Sequence, residues 1–239
     1  MQHRCRTNLN LYKSPACDSL VTQAAAGRQL TIVAPGEAQA GAIAVRLLED
    51  DYPGWLATAD LAQLEEASPF EPIALAESEI RARIPEVIAF TQAAHAQPNT
   101  YLWGGTVAPN YDCSGLMQAA FASVGIWIPR DAYQQEAFVQ SIALSDLIPG
   151  DLVFFGTPTK ATHVGLYLGA DQYIHSSGKD QGRNGIGIDR VSGQGDRVSQ
   201  TYHAQLRGAG RVVACYRPSG VSSLCSQQIS GSQQISGSQ

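Results

Sequence analysis

Charge is scarce in this chain: Asp, Glu, Lys and Arg make up 15% of its 239 residues, against about 25% in ordinary globular proteins. The 21 acidic residues outnumber the 16 basic ones, for a net charge of -5, and no basic run occurs. Without a cationic stripe there is no counterion-releasing surface for nucleic acid or a polyanionic wall polymer, so nucleic-acid binding is excluded. Long apolar runs are missing as well. None approaches the ~18 residues of a membrane span, and the opening MQHRCRTNLNLYKSP has no apolar signal-peptide core. A soluble, cytoplasmic chain with no membrane partner is therefore expected. The cysteines, Cys5, Cys17, Cys113, Cys215 and Cys225, form an odd set with no CxxC spacing. That excludes a disulfide framework and a zinc knuckle, and it leaves at least one free thiol. His3, His95 and His203 have no partners at metal-ligand spacing, and Gly104-Gly105 lacks the spacing of a phosphate loop. Neither a metal nor a cofactor is expected.

The hydrophobic fraction of 44% is that of a folding chain, and the length suits one or two domains. From Leu9 to about Leu64, short apolar runs alternate with Gly and Pro turns (LNLY, LVTQAAAGRQLTIVA, AIAVRLLEDDYPGWLAT), which predicts antiparallel strands closing into a small β-barrel. The Pro- and acid-rich segment that follows reads as a linker. A helical face runs from Glu79 to His95, with Pro85 as a kink or the true first turn. A second helix is predicted from Cys113 to Val124, with Gly125 as its stop. DLVFFG, HVGLYLG, QYIHSS, IGIDRV and RVVACYR read as strands, so helices precede a sheet in a segregated α+β domain. The expected divisions are residues 1–66, a linker at 67–79, a second domain at 80–220, and a disordered Ser/Gln-rich tail at 221–239 carrying SQQISG twice.

One constellation carries chemistry. Cys113 opens the apolar helix, where free backbone N–H groups and the helix dipole favour a thiolate. His163 and His175 lie on consecutive predicted strands, so one imidazole can take the thiol proton while the other orients it. Taken singly, each of these residues is as well explained by packing. Asp112 suits either a helix cap or a partner for a free α-amino group. Arg130 and Asp131 border the site or form a loop salt bridge. Trp103 is expected to pack beneath Gly104 and Gly105, whose tight turn lets substrate approach the backbone. Cys5, Cys17 and Cys215 read as buried small hydrophobes in strand-like surroundings.

The series YLWGG (101–105), DCSGL (112–116), GIWIPRDAYQQ (125–135), LIPGDLVFFG (147–156), THVGLYLG (162–169) and YIHSSG (173–178) resembles the NlpC/p60 cysteine peptidases. LYKSP, LVTQAAAGRQL and EDDYPGWL resemble the bacterial SH3-like domain that precedes the peptidase in cyanobacterial-type γ-D-glutamyl-L-diamino acid endopeptidases. The resemblance implies an SH3-like barrel followed by a papain-like domain. It makes Cys113 the nucleophile, His163 the base, His175 the third polar residue and Tyr101 a helper of the Cys113 N–H in holding the oxyanion. It also implies that Asp112 and Ser114 line the substrate site and that Tyr52 closes the pocket from the SH3-like side. The function it implies is cleavage of the γ-D-glutamyl-diaminopimelate bond of murein peptides with a free N-terminal L-Ala; the missing signal segment and acidic balance favour a role in peptidoglycan recycling, and a monomer is expected. The alternative is a non-catalytic module in which the SH3-like barrel binds wall peptides or a protein and the peptidase has decayed.

Overall fold

Apolar residues at every second position make the first part of the chain a sheet with one buried face. The structure, a computed structural model, describes residues 1–33 and 37–219, so the tail repeat and Cys225 lie outside the described residues. Seven strands, β1 (Gln2–Cys5), β2 (Leu9–Tyr12), β3 (Leu20–Ala24), β4 (Gln29–Ile32), β5 (Ala42–Leu47), β6 (Pro53–Ala57) and β7 (Leu64–Glu66), form one sheet in the order β3-β2-β6-β5-β4-β1-β7. Their inward residues, among them Leu9, Leu11, Leu30, Val45, Leu47 and Leu56, meet in a single cluster, so the sheet folds over its own core. The pattern begins one strand earlier than the sequence suggests. In QHRC only Cys5 is fully buried, which leaves β1 too polar to stand out.

Residues 67–76 carry no helix or strand, and α1 (Glu77–His95) follows. Its first turn is tied by the Glu79 carboxylate, which accepts from the Ala76 N–H at 2.7 Å. Pro85 sits inside this helix, neither at its first turn nor at an end. A two-stranded hairpin, β8 (Thr106–Val107) and β9 (Asn110–Tyr111), leads into α2 (Cys113–Ala122), and α3 (Ala132–Phe138) comes next. The second sheet contains β10 (Gln140–Ile142), β11 (Leu152–Gly156), β12 (Ala161–Gly169), β13 (Gln172–Ser177), β14 (Gly185–Arg190) and β15 (Leu206–Arg211), with α4 (Arg197–His203) inserted before the last strand. Its order is β10-β15-β11-β12-β13-β14, every pair antiparallel.

This sheet is covered on both faces, which is why LVFFG and HVGLYLG read as nearly continuous apolar runs. On one face Leu116, Met117 and Phe121 of α2 pack against Phe154, Val164 and Ile174. On the other, Val198 and Tyr202 of α4 pack against Val153, Phe155 and Tyr173. The expected strand RVVACYR is displaced: the strand is LRGAGR, ending at Arg211, while Val212 and Cys215 continue into the core as irregular chain. Gly208 and Gly210 hide the strand signal, and a side chain at Gly210 would collide with Val139.

The two sheets are joined through hydrogen bonds near the start of α2. Gln23 of β3 accepts from the Thr106 and Val107 N–H groups at 3.1 and 3.2 Å, and Gln118 of α2 donates to Asp50 at 2.8 Å. Gly104, at φ +79°, turns the chain against Leu20 of β3, while Gly105 lies against the Asn110 and Leu102 carbonyls, so both glycines are crowded by backbone of the chain itself. Gly115 backs onto the Gly105 carbonyl, and a methyl group there would collide with that oxygen and fall 2.9 Å from Asp112 Oδ1. Gly115→Ala is therefore expected to lower stability by roughly 2 kcal/mol, read from the midpoint of a urea transition. An unchanged midpoint would contradict this packing.

Candidate active site

Helix α2 begins at Cys113 because Asp112 caps it, its Oδ1 accepting from the Gly115 N–H at 2.6 Å. At the first helical position the Cys113 N–H has no intrahelical acceptor and is free to donate. The thiol is 6% exposed. Burial pushes it up to about 12, and the Asp112 charge adds to that, against hydrogen bonds from the Val164 and Ser114 N–H groups and the Arg130 charge. The thiolate expected from the helix dipole alone is thus overridden by desolvation in the free site. Cys113 packs in one core cluster with Val164, the residue after His163 on β12.

His163 is drawn well below the ordinary histidine range by burial and by its neighbour His175. Strands β12 and β13 are antiparallel neighbours, and His163 Nε2 lies 2.6 Å from His175 Nδ1. His175, completely buried, is lowered by desolvation against the opposing hydrogen bond to Asp189. Its Nε2 is 2.6 Å from Asp189 Oδ2 on β14. Burial raises the Asp189 carboxyl, but the bonds and charges of His175, Arg183 and Ser199 outweigh it and hold the group below its usual range. The Tyr202 ring stacks on His163 with centroids 4.2 Å apart. Burial thus favours the uncharged forms of the thiol and of both imidazoles, the second of which is anchored on a carboxylate.

Asp189, Arg183 and Tyr202 are missed by the sequence reading. A signal for Asp189 was present: Tyr173 pairs with Asp189 and His175 with Gly187 across β13 and β14, so the aspartate occupies an inward position that demands a partner.

Asp112 is fully engaged. Arg130 clamps it from Nη1 and Nη2 at 3.1 and 2.6 Å, Ser114 Oγ donates to it at 3.3 Å, and the Gly104 N–H donates at 2.9 Å. Arg130 is 1% exposed, and its Nε reaches Thr22 Oγ1 of β3 at 3.0 Å. Arg130 thus belongs to this buried pair and not to a loop bridge with Asp131, and Asp112 has no vacancy for an amine. Asp112 and Asp131 both line the cleft, and Asp131 is the one not held by a guanidinium clamp. Tyr52, in the turn between β5 and β6, donates its hydroxyl to Asp131 at 3.2 Å. Burial raises Asp131, against the attraction of Arg130 and the Tyr52 bond.

A cleft of about 260 Å³ holds Tyr52, Tyr101, Trp103, Asp112, Cys113, Ser114, Arg130, Asp131 and Lys160 among its walls. A second, of about 230 Å³, lies on the His163 side and shares Tyr101 and Trp103 with the first. The Tyr101 hydroxyl has no hydrogen-bond partner among the described residues, and burial holds its proton on strongly. Trp103 is 70% exposed and lines both clefts, so it does not pack beneath the glycines. Cys5 and Cys215 are buried. Cys17 departs from expectation, half-buried in a turn at φ +54°. Among the described residues no three His, Cys, Asp or Glu side chains gather at metal-binding distance.

Both histidines bind fewer protons folded than unfolded, so stability rises with pH through the ordinary histidine range and is lost as pH falls below it. The melting temperature is expected to drop between about pH 7.5 and about pH 5.5, and the drop should shrink in His163→Gln. A melting temperature flat over that range would contradict the buried neutral pair. Arg130→Met should cost about 3–5 kcal/mol in a denaturant titration by stranding the Asp112 charge. A loss below about 1 kcal/mol would mean that the pair is dispensable.

Comparison with known proteins bears on the two sheets and their order. Residues 98–206 match the NlpC/P60 family, and residues 11–61 match the bacterial dipeptidyl-peptidase Sh3 domain. Among curated relatives, the Probable endopeptidase p60 of Listeria monocytogenes is 38% identical over 112 residues, covering 47% of this chain and 21% of that protein. The murein DD-endopeptidase MepS/murein LD-carboxypeptidase of Escherichia coli is 38% identical over 78 residues, covering 32% of this chain and 42% of that protein. The chain thus spans between about a fifth and two fifths of the length of these relatives. A crystal structure of an NlpC/P60 family protein from Bacillus cereus superposes with a TM-score of 0.70 at 17% identity, over 89% of this chain and all of the other, and shows the shared fold. The two sheets are accordingly an SH3-like domain and a papain-like one, and the chain carries an NlpC/P60 domain at residues 98–206 behind a bacterial SH3 domain at residues 11–61.

Proposed function

We propose that the chain is a cysteine endopeptidase that hydrolyses the γ-D-glutamyl-diaminopimelate bond of free murein peptides beginning with L-Ala. The observation that carries this reading is the cleft that Cys113 shares with the Tyr52–Asp131 pair, to whose wall the SH3-like domain contributes Val21 and Tyr52. A carboxylate at the cleft with a tyrosine hydroxyl on it suits a peptide's terminal ammonium, since a charge-assisted bond is about twice as strong as a neutral one. A cleft of about 260 Å³ walled by both domains suits a short peptide whose L-Ala amine ends at Asp131. That favours short free peptides over intact wall, the selectivity recycling requires, and we place this activity in the cytoplasm, acting as a monomer.

In the reaction, the Cys113 proton passes to His163 as Sγ attacks the γ-carbonyl carbon of D-Glu. The oxyanion that forms is met by the Cys113 N–H and the Tyr101 hydroxyl, donors aimed at charge that exists only then. The C–N bond breaks as His163 returns its proton to the departing amine. Water, deprotonated by His163, then attacks the thioester and frees L-Ala-D-Glu and the thiol. Burial favours the uncharged thiol and imidazole, which suits a proton transfer that accompanies the attack.

Steady-state kinetics on L-Ala-γ-D-Glu-diaminopimelate test the assignments. Cys113→Ala should abolish turnover. Asp131→Asn should raise KM about tenfold or more with a smaller effect on kcat, the pattern of lost substrate binding. An Asp131→Asn variant with unchanged KM, or an active Cys113→Ala, would overturn the reading.

A further inference from the structure

Thiol chemistry needs a nucleophile, a base and one group to orient the base, yet here a fourth side chain continues the line. Asp189 sits inward on β14, 3% exposed, with all its bonds accounted for: His175 Nε2 on Oδ2 at 2.6 Å, and Arg183 Nη2 and Ser199 Oγ on Oδ1 at 2.6 and 3.0 Å. Arg183 reaches this place across Gly187, where any side chain would collide with the guanidinium stem.

An ionised carboxylate only accepts hydrogen bonds, so the proton between Asp189 and His175 belongs to His175 Nε2. A neutral imidazole has one proton, hence His175 Nδ1 is bare and must accept. Its neighbour at 2.6 Å, His163 Nε2, then has to donate. That leaves His163 Nδ1, the ring nitrogen nearer the backbone, as a lone pair, and Val164, the next residue on β12, packs in the core cluster that holds Cys113. Each step follows from the one before, and the first depends on a negative charge at Asp189.

We propose that Asp189 is a positioning residue whose carboxylate fixes the tautomers of both histidines and so keeps His163 Nδ1 unprotonated towards Cys113. Replacement by Asn reverses the sequence. Two donors, Arg183 and Ser199, claim the single amide oxygen, so the NH2 group faces His175 Nε2. His175 must then carry its proton on Nδ1, His163 must accept on Nε2, and the remaining His163 proton moves to Nδ1, where a base is required.

The test is imidazole 15N–1H correlation spectroscopy on the wild-type chain and on Asp189→Asn, alongside kinetics on the murein tripeptide. The wild type should show Nε2–H on both histidines, and the variant Nδ1–H on both. With the shift, kcat should fall by at least about 100-fold while KM stays within about threefold. Nδ1–H on either histidine of the wild type, or unaltered tautomers in a folded variant, would overturn the proposal. Should Asp189→Asn not fold, the wild-type tautomers decide alone. The kinetic arm rests on the peptidase reading, whereas the spectra need no substrate. A wild type that leaves the peptide intact but shows Nε2–H twice would therefore sink that reading and keep this one.

Discussion

The buried pair between Asp112 and Arg130 is the interaction on which the rest of the site depends. One carboxylate caps the helix that presents Cys113, receives the Gly104 N–H and accepts a two-point clamp from a guanidinium that also reaches Thr22 in the SH3-like sheet. Taking two charges out of water costs about what their attraction returns, so such a pair adds little net stability. What it contributes is position, because removing either partner strands the other. Nucleophile, cleft floor and second domain are thereby set by one geometry. A further consequence is functional: with Asp112 saturated, the acidic group open to a ligand is Asp131, on the residue after Arg130.

Burial sets the chemistry as firmly as it sets the shape. A helix N-terminus lowers a thiol in water, but Cys113 is enclosed, and desolvation raises the thiol while lowering both histidines. The charge in this region is kept at its edges, on Asp112 against Arg130 and on Asp189 against Arg183. Between these two ion pairs lie Cys113, His163 and His175, whose uncharged forms burial favours, with Tyr202, Phe155 and Tyr173 packed against the histidines.

Much of this was legible in the residues. DCSG before an apolar run placed the thiol at a helix start, and two histidines on consecutive strand patterns placed the imidazoles side by side. The resemblance to a known family added Tyr101 and Tyr52. What stayed hidden has physical reasons. Strand LRGAGR is masked by its glycines, and QHRC by its polarity, since pairing between β4 and β7 needs no apolar face. Desolvation of Cys113 depends on how tightly α2 packs, which spacing does not encode. The competition between Arg130 and an amine for Asp112 depends on a side chain 18 residues away turning back to it. Trp103 was misplaced for a similar reason: an aromatic beside two glycines reads as packing, yet it stands at the rim of both clefts.

The central claim is that this chain cuts short murein peptides by recognising a free amino terminus. Its most direct test is mass spectrometry of L-Ala-γ-D-Glu-meso-diaminopimelate incubated with the protein, beside the same peptide acetylated at its amino terminus. Release of L-Ala-D-Glu from the free peptide alone is the result this account predicts. Equal cleavage of both peptides, or of neither, would contradict it.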